Sequence, residues 1–168
     1  LQAKGSNGMR QDNDIVNCIE ELAASDRSST VLVCIQGEMD DRIYGEIYSY
    51  HLNDPVMFMD IGDLILKIDE ICSWLGAPLR TSTPRFMNRE MERRYRRSRK
   101  KMPEITTERL LDLNMRIPYT QLDKVKEVLV VYVKYRQDFS MQGSVKGRLT
   151  EGKTVNFRSA LELMRMMR

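Results

Sequence analysis

The sequence predicts an α+β fold: a tandem β-β-β-α repeat with pseudo-two-fold symmetry and antiparallel strands. Three observations predict it. Val31–Ile47 aligns without a gap over Leu129–Val145 at a shift of 98, with apolar residues coinciding at 31/129, 32/130, 33/131 and 35/133, Asp40 meeting Asp138 and Gly45 meeting Gly143. After one inserted residue the match resumes at a shift of 99, pairing Val56 with Val155, Phe58 with Phe157, Asp60 with Ser159, Asp63 with Glu162 and Leu64 with Leu163. Each block also passes from a segment rich in β-branched residues to apolar residues at helical spacing, the change of period that marks a strand-to-helix boundary. The plain alternative is two similar but unrelated hairpin-plus-helix pieces.

Taken in order, Leu1–Gly8 reads as a tag or vector remnant, with Met9 as the expected native start. Segment 9–29 holds an N-terminal helix over Asp14–Ala24, its buried side formed by Ile15, Ile19, Leu22 and Ala23. The first unit, 30–76, is expected to have strands at 30–38 and 43–50 joined by the polar Met39–Arg42, and a short third strand ending at Phe58. Asp60 caps the helix that follows. Ile61, Leu64, Ile65, Ile68, Ile71, Cys72 and Leu75 give it one apolar stripe, Gly76 ends it, and Pro78 blocks its continuation. The second unit, 128–168, has strands at 128–137 and 142–149, turn residues at Thr150–Lys153, a third strand ending at Phe157, and a shorter helix opened by Ser159 and Glu162 as a capping box. One such unit, about 40 residues, is marginal alone. Two copies sharing an interior are not, whether as one six-stranded sheet or as two packed sheets.

The connector, 77–127, is the most unusual segment. Between Arg80 and Lys101 ten Lys or Arg stand against two acidic residues. Thr83 as cap and Pro84 at the first helical position predict a helix running to about Lys101, with Pro103 beyond it. Arg85, Arg89, Arg93, Arg96, Arg97 and Lys100 form one basic face, and Met87, Met91, Tyr95 and Met102 line the opposite side. A short helix carrying Leu110, Leu111 and Leu113 is expected before Pro118.

Charge is divided unevenly. Residues 30–75 carry two basic and nine acidic groups, whereas 128–168 carry eight basic and three acidic. Such a dipolar chain steers charged partners, and its halves complement one another in a homo-oligomer. Phosphate backbones suit an arginine face, because binding releases counterions. An acidic protein groove suits it equally. A membrane surface suits it poorly, since the stripe lacks Leu, Phe and Trp.

Tyr135-Arg136-Gln137, Gln142-Gly143 and Phe157-Arg158-Ser159 followed by Leu161-Glu162-Leu163 resemble a stretch of small uncharacterised bacterial proteins. The resemblance covers about 40 residues of the second unit and implies a fold family but no activity.

Conventional catalytic signatures are missing. His51 is the one histidine, and it sits among turn residues; nothing resembles a nucleophile elbow or a glycine-rich phosphate loop. Asp40 and Asp41 read as turn residues, Asp60 and Asp63 as helix-capping ones. Cys18, Cys34 and Cys72, odd in number and apolar in surroundings, read as reduced core thiols of a cytoplasmic protein. No apolar run reaches the roughly 18 residues a membrane span needs.

The expectation is therefore a non-catalytic binding or regulatory protein with no cofactor and no metal. Its Arg-rich helix engages nucleic acid or an acidic protein, and Lys134, Arg136, Lys146 and Arg148 extend the basic surface. The alternative is an adaptor or inhibitor whose acidic first unit imitates nucleic acid, or a self-associating structural protein.

Overall fold

The computed structural model describes residues 29–99 and 124–168. The elements are β1 (Thr30–Met39), β2 (Arg42–Tyr48), β3 (Val56–Phe58), α1 (Ile61–Leu75), α2 (Arg89–Ser98), β4 (Glu127–Gln137), β5 (Ser140–Gly147), a 3-10 turn (Arg148–Thr150), β6 (Val155–Phe157) and α3 (Ala160–Met166). The strands form one antiparallel sheet in the order β3-β2-β1-β4-β5-β6. Of the two arrangements open from sequence, the single six-stranded sheet is the one adopted.

Turn chemistry sets both hairpins. Asp40 and Asp41 join β1 to β2 with φ of 52° and 57°; Asp138 and Phe139 join β4 to β5 with φ of 47° and 59°. Two-residue turns with positive φ at both positions twist in the same sense as the flanking strands. The connections are accordingly shorter than expected, and Met39, Arg42, Ser140 and Met141 belong to the strands. Each hairpin also carries a bulge, between Ile35 and Gly37 in one and between Val133 and Tyr135 in the other.

β1 and β4 pair along the middle of the sheet, Leu32 opposite Val130 and Val33 opposite Leu129. These residues are buried whichever way they point. On one face Val31, Val33, Leu129 and Val131 join Leu64, Ile68 and Ile71 of α1 and Leu163 of α3 in the main core. On the other, Leu32, Cys34, Tyr48, Val128 and Val130 form a second cluster. Each fully buried Leu, Ile or Val contributes about 1.5–3 kcal/mol relative to exposure. The wholly buried rings of Phe58 and Phe157 stand over Gly45 and Gly143. A Cβ on Gly45 would overlap the Cys34 carbonyl oxygen, and one on Gly143 that of Tyr132.

The helix ends follow the sequence closely. Asp60 Oδ1 accepts from Asp63 N at 2.8 Å, and Gly76 ends α1 in the left-handed region at φ 65°. Ser159 Oγ accepts from Glu162 N at 3.1 Å. The returning bond differs from a capping box: Glu162 accepts from Arg158 N at 2.6 Å, one residue before the cap. Asp63 does the same to Met59 N at 3.1 Å.

The connector departs from expectation. Thr83 and Pro84 do not start a helix; α2 begins at Arg89, with Asn88 Oδ1 accepting from Met91 N at 2.9 Å. Asn is a stronger cap than Thr, and Asn88 closes the first turn of α2. Residues 81–88 instead run as a strap with Ser82, Pro84 and Phe86 half-buried and the residues between them exposed. The Phe86 ring packs 5.1 Å from that of Tyr95 on α2.

Cys34 and Cys72 are buried thiols, as expected. Burial pushes the Cys72 thiol up to about 12, which keeps it protonated and unreactive at neutral pH. The N-terminal helix over Asp14–Ala24, Cys18, Lys100, Met102 and the Leu110–Leu113 helix lie outside the described residues. No helix among the described residues is long and apolar enough to cross a membrane.

Candidate functional site

One arginine organises a polar cluster inside the described chain. Arg136, near the end of β4, is only 5% exposed. Its Nη1 donates to the Asp69 carbonyl (2.8 Å), to Asp69 Oδ1 (3.0 Å) and to Ser73 Oγ (2.8 Å), and its Nε donates to the Pro78 carbonyl (3.0 Å). This corrects the expectation that Arg136 extends an exposed basic surface. The cause is the bulge between Val133 and Tyr135. One extra residue reverses the in–out parity of a strand, turning Tyr135 outward and Arg136, opposite the buried Met141, toward α1.

Asp69 and Ser73 lie one turn apart on α1, so a single face offers a carboxylate and a hydroxyl. Asp69 also pairs with Arg80 of the strap. Arg80 Nη1 donates to Tyr95 Oη at 2.9 Å, and its guanidinium lies 5.8 Å from the centre of the Phe139 ring. Burial opposes the Arg80 charge; the Asp69 carboxylate, followed by the Tyr95 hydroxyl, outweighs burial and holds this group above its ordinary value. Two buried or half-buried guanidiniums thus share one carboxylate, which leaves an excess of positive charge. The strap is tied to β4 through the backbone as well, by Thr81 N to the Arg136 carbonyl at 3.4 Å.

Between α1, the strap and α2 this framework leaves two adjoining cavities, with Arg80, Pro84 and Arg136 as their common wall. The first, about 340 Å³, is bordered by Ser73, Arg80, Ser82, Thr83, Arg99 and Arg136. The second, about 350 Å³, is bordered chiefly by Leu66, Phe86, Tyr95, Phe139 and Met141. Phe139 is half exposed and holds a left-handed backbone. For a bulky residue that conformation costs on the order of 1–3 kcal/mol, and such strain concentrates at ligand clamps.

The expected partner-binding residues occupy two faces rather than one. Arg85, Arg89, Arg93, Arg96 and Arg97 are all exposed on the strap and α2. Arg96 pairs with Glu92 at 2.7 Å and Arg94 with Glu90 at 2.7 Å, one turn apart along the helix; such exposed pairs are worth about 0.3–0.5 kcal/mol. Among the described residues Arg85, Arg89, Arg93 and Arg97 face no carboxylate. Lys146 stands opposite Val130 on the sheet face away from the helices. Lys134 lies 5.2 Å from the Tyr135 ring and borders a hollow with Tyr132, Ser144 and Asn156. Arg148 is bound at 2.8 Å to Glu127, itself 7% exposed.

Sequence reading missed Asp69, Arg80, Ser82 and Arg99. Asp69 did leave a signal: it falls among Ile65, Ile68 and Cys72, where an unpaired carboxylate is costly. Comparison with protein-family models, with curated proteins and with solved structures returned no match to this chain, so the site is read from its own chemistry.

Proposed function

We propose that this is a binding protein whose arginine connector engages a polyanion, a single nucleic-acid strand above all. The observation that carries the reading is the set of four exposed guanidiniums, Arg85, Arg89, Arg93 and Arg97, left without a carboxylate among the described residues. Phosphates along a strand supply the missing counter-charge, and released counterions drive association. Half-exposed Phe139 and Tyr135 offer rings on which bases stack.

The test is fluorescence anisotropy of a labelled single-stranded oligonucleotide across a salt series. Four phosphate contacts give a log–log slope of about −3, at roughly −0.7 per contact. Arg89→Glu with Arg93→Glu is expected to weaken binding about 100-fold, some tenfold per lost charge-assisted bond. Binding insensitive to salt and to both substitutions overturns the reading. Capture of an acidic protein with no oligonucleotide binding transfers it to an acidic protein surface.

The same proposal extends to origin. The β1–β3/α1 and β4–β6/α3 halves are read as two copies of one unit. Bulges, positive-φ turns, buried Phe rings over Gly45 and Gly143, and the Asp60 and Ser159 caps, all at the spacing found in the sequence, support this reading.

A further inference from the structure

We propose that the paired cavities beside Arg136 are a nucleotide site: the phosphoryl group enters the arginine–hydroxyl cavity and the ring lies in the aromatic one. This deepens the polyanion reading, since it names the unit recognised, but it rests on different residues.

The hydroxyl-lined cavity has the composition of an oxyanion receptor. Arg80, Arg99 and Arg136 border it, and Asp69 neutralises the charge of only one of them. Arg136 spends Nε and Nη1 on protein acceptors, while its Nη2 makes no hydrogen bond among the described residues. Arg99 rests 5.9 Å from the Tyr95 ring and makes no ion pair among the described residues. Ser82 adds a separate observation. Its Oγ is buried yet makes no hydrogen bond, alone in this among buried side-chain polar atoms of the described residues. A buried hydroxyl without a partner costs about 1–3 kcal/mol, and a turn about χ1 that brings it onto an incoming phosphoryl oxygen removes that cost. Arginine is suited to such a group because its fork matches phosphate oxygens.

The neighbouring cavity supplies the rest of the ligand's chemistry. Phe86, Tyr95 and Phe139 surround about 350 Å³ that shares the Arg80–Arg136 wall, within the range that accommodates small ligands. Strained Phe139 stands at its lip under the Arg80 guanidinium. A ring entering here stacks on aromatic faces while its phosphate reaches the arginines across the wall.

The experiment is isothermal titration of the full chain with each nucleoside 5′-monophosphate, the matching nucleoside and inorganic phosphate. At least one monophosphate is expected to bind ten times more tightly than its nucleoside and than phosphate alone. Ser82→Ala is expected to leave the free protein as stable or more so, because it removes an unsatisfied group, while weakening the monophosphate about tenfold. Arg99→Gln, at an exposed position, is expected to weaken it similarly. No monophosphate binding, or binding that Ser82→Ala and Arg99→Gln both leave intact, overturns the site. Oligonucleotide binding without monophosphate binding sinks this proposal alone. Monophosphate binding without oligonucleotide binding sinks the strand reading and assigns the site to a free nucleotide.

Discussion

Glu38 and Arg136 hold the same place in their hairpins, two residues before the positive-φ turn and just after a bulge. Their fates are opposite. Glu38 is exposed and makes no ion pair among the described residues; Arg136 is buried and makes four hydrogen bonds. The strands do not explain the difference, because both bulges turn the residue toward the helix face. What differs is the cover. The second hairpin lies under the strap and beside the fifteen residues of α1, whereas the first has neither over its turn. A charged position is therefore made interior by a segment far away in sequence, and both cavities beside Arg136 are bordered by residues of the strap that crosses there.

Three sets of substitutions break or sharpen this comparison. Asp69→Ala leaves Arg136 and Arg80 without their shared carboxylate and is expected to cost about 3–5 kcal/mol of unfolding free energy by urea titration. Glu38→Ala is expected to stay within about 0.5 kcal/mol. Equal effects would mean that the ion cluster is not what separates the two hairpins. Next, Gly45→Ala and Gly143→Ala each drive a methyl group into a backbone carbonyl and are expected to cost about 3 kcal/mol apiece. A mild effect at one alone would show that the halves are built to different tolerances. Smallest, Asp60→Ala and Ser159→Ala remove one cap each, at about 1 kcal/mol. Amide exchange should rise more along α3, because seven residues offer fewer remaining bonds than fifteen.

Much of the framework was legible in the sequence because local rules decide it. Strands announced themselves by β-branched runs, Asp60 and Ser159 by their caps, Gly76 by its left-handed stop. What was not legible depends on distant groups or on one-residue offsets. Lys134 and Arg136 read as neighbours on one face until a bulge, invisible in composition, places them on opposite sides. Thr83-Pro84 carries a helix-start signal, but Phe86 docking on Tyr95 and the bond from Arg80 to Tyr95 hold that stretch extended, and Asn88 takes over the cap. Of the basic residues expected at the surface, Arg85, Arg89, Arg93, Arg96 and Arg97 needed only their own helix or strap to be placed there. Arg148 is exposed as well, tied to Glu127, whereas Arg136 depended on Asp69, which no local pattern pairs with it.

Among the described residues the outermost strands of the sheet, β3 and β6, are three residues each. Such a rim presents too few free amides and carbonyls to template a further strand, so runaway stacking of chains edge upon edge is blocked. Association through the exposed arginines of the strap and α2 is then governed by charge, and it should dissolve with salt rather than demand denaturant.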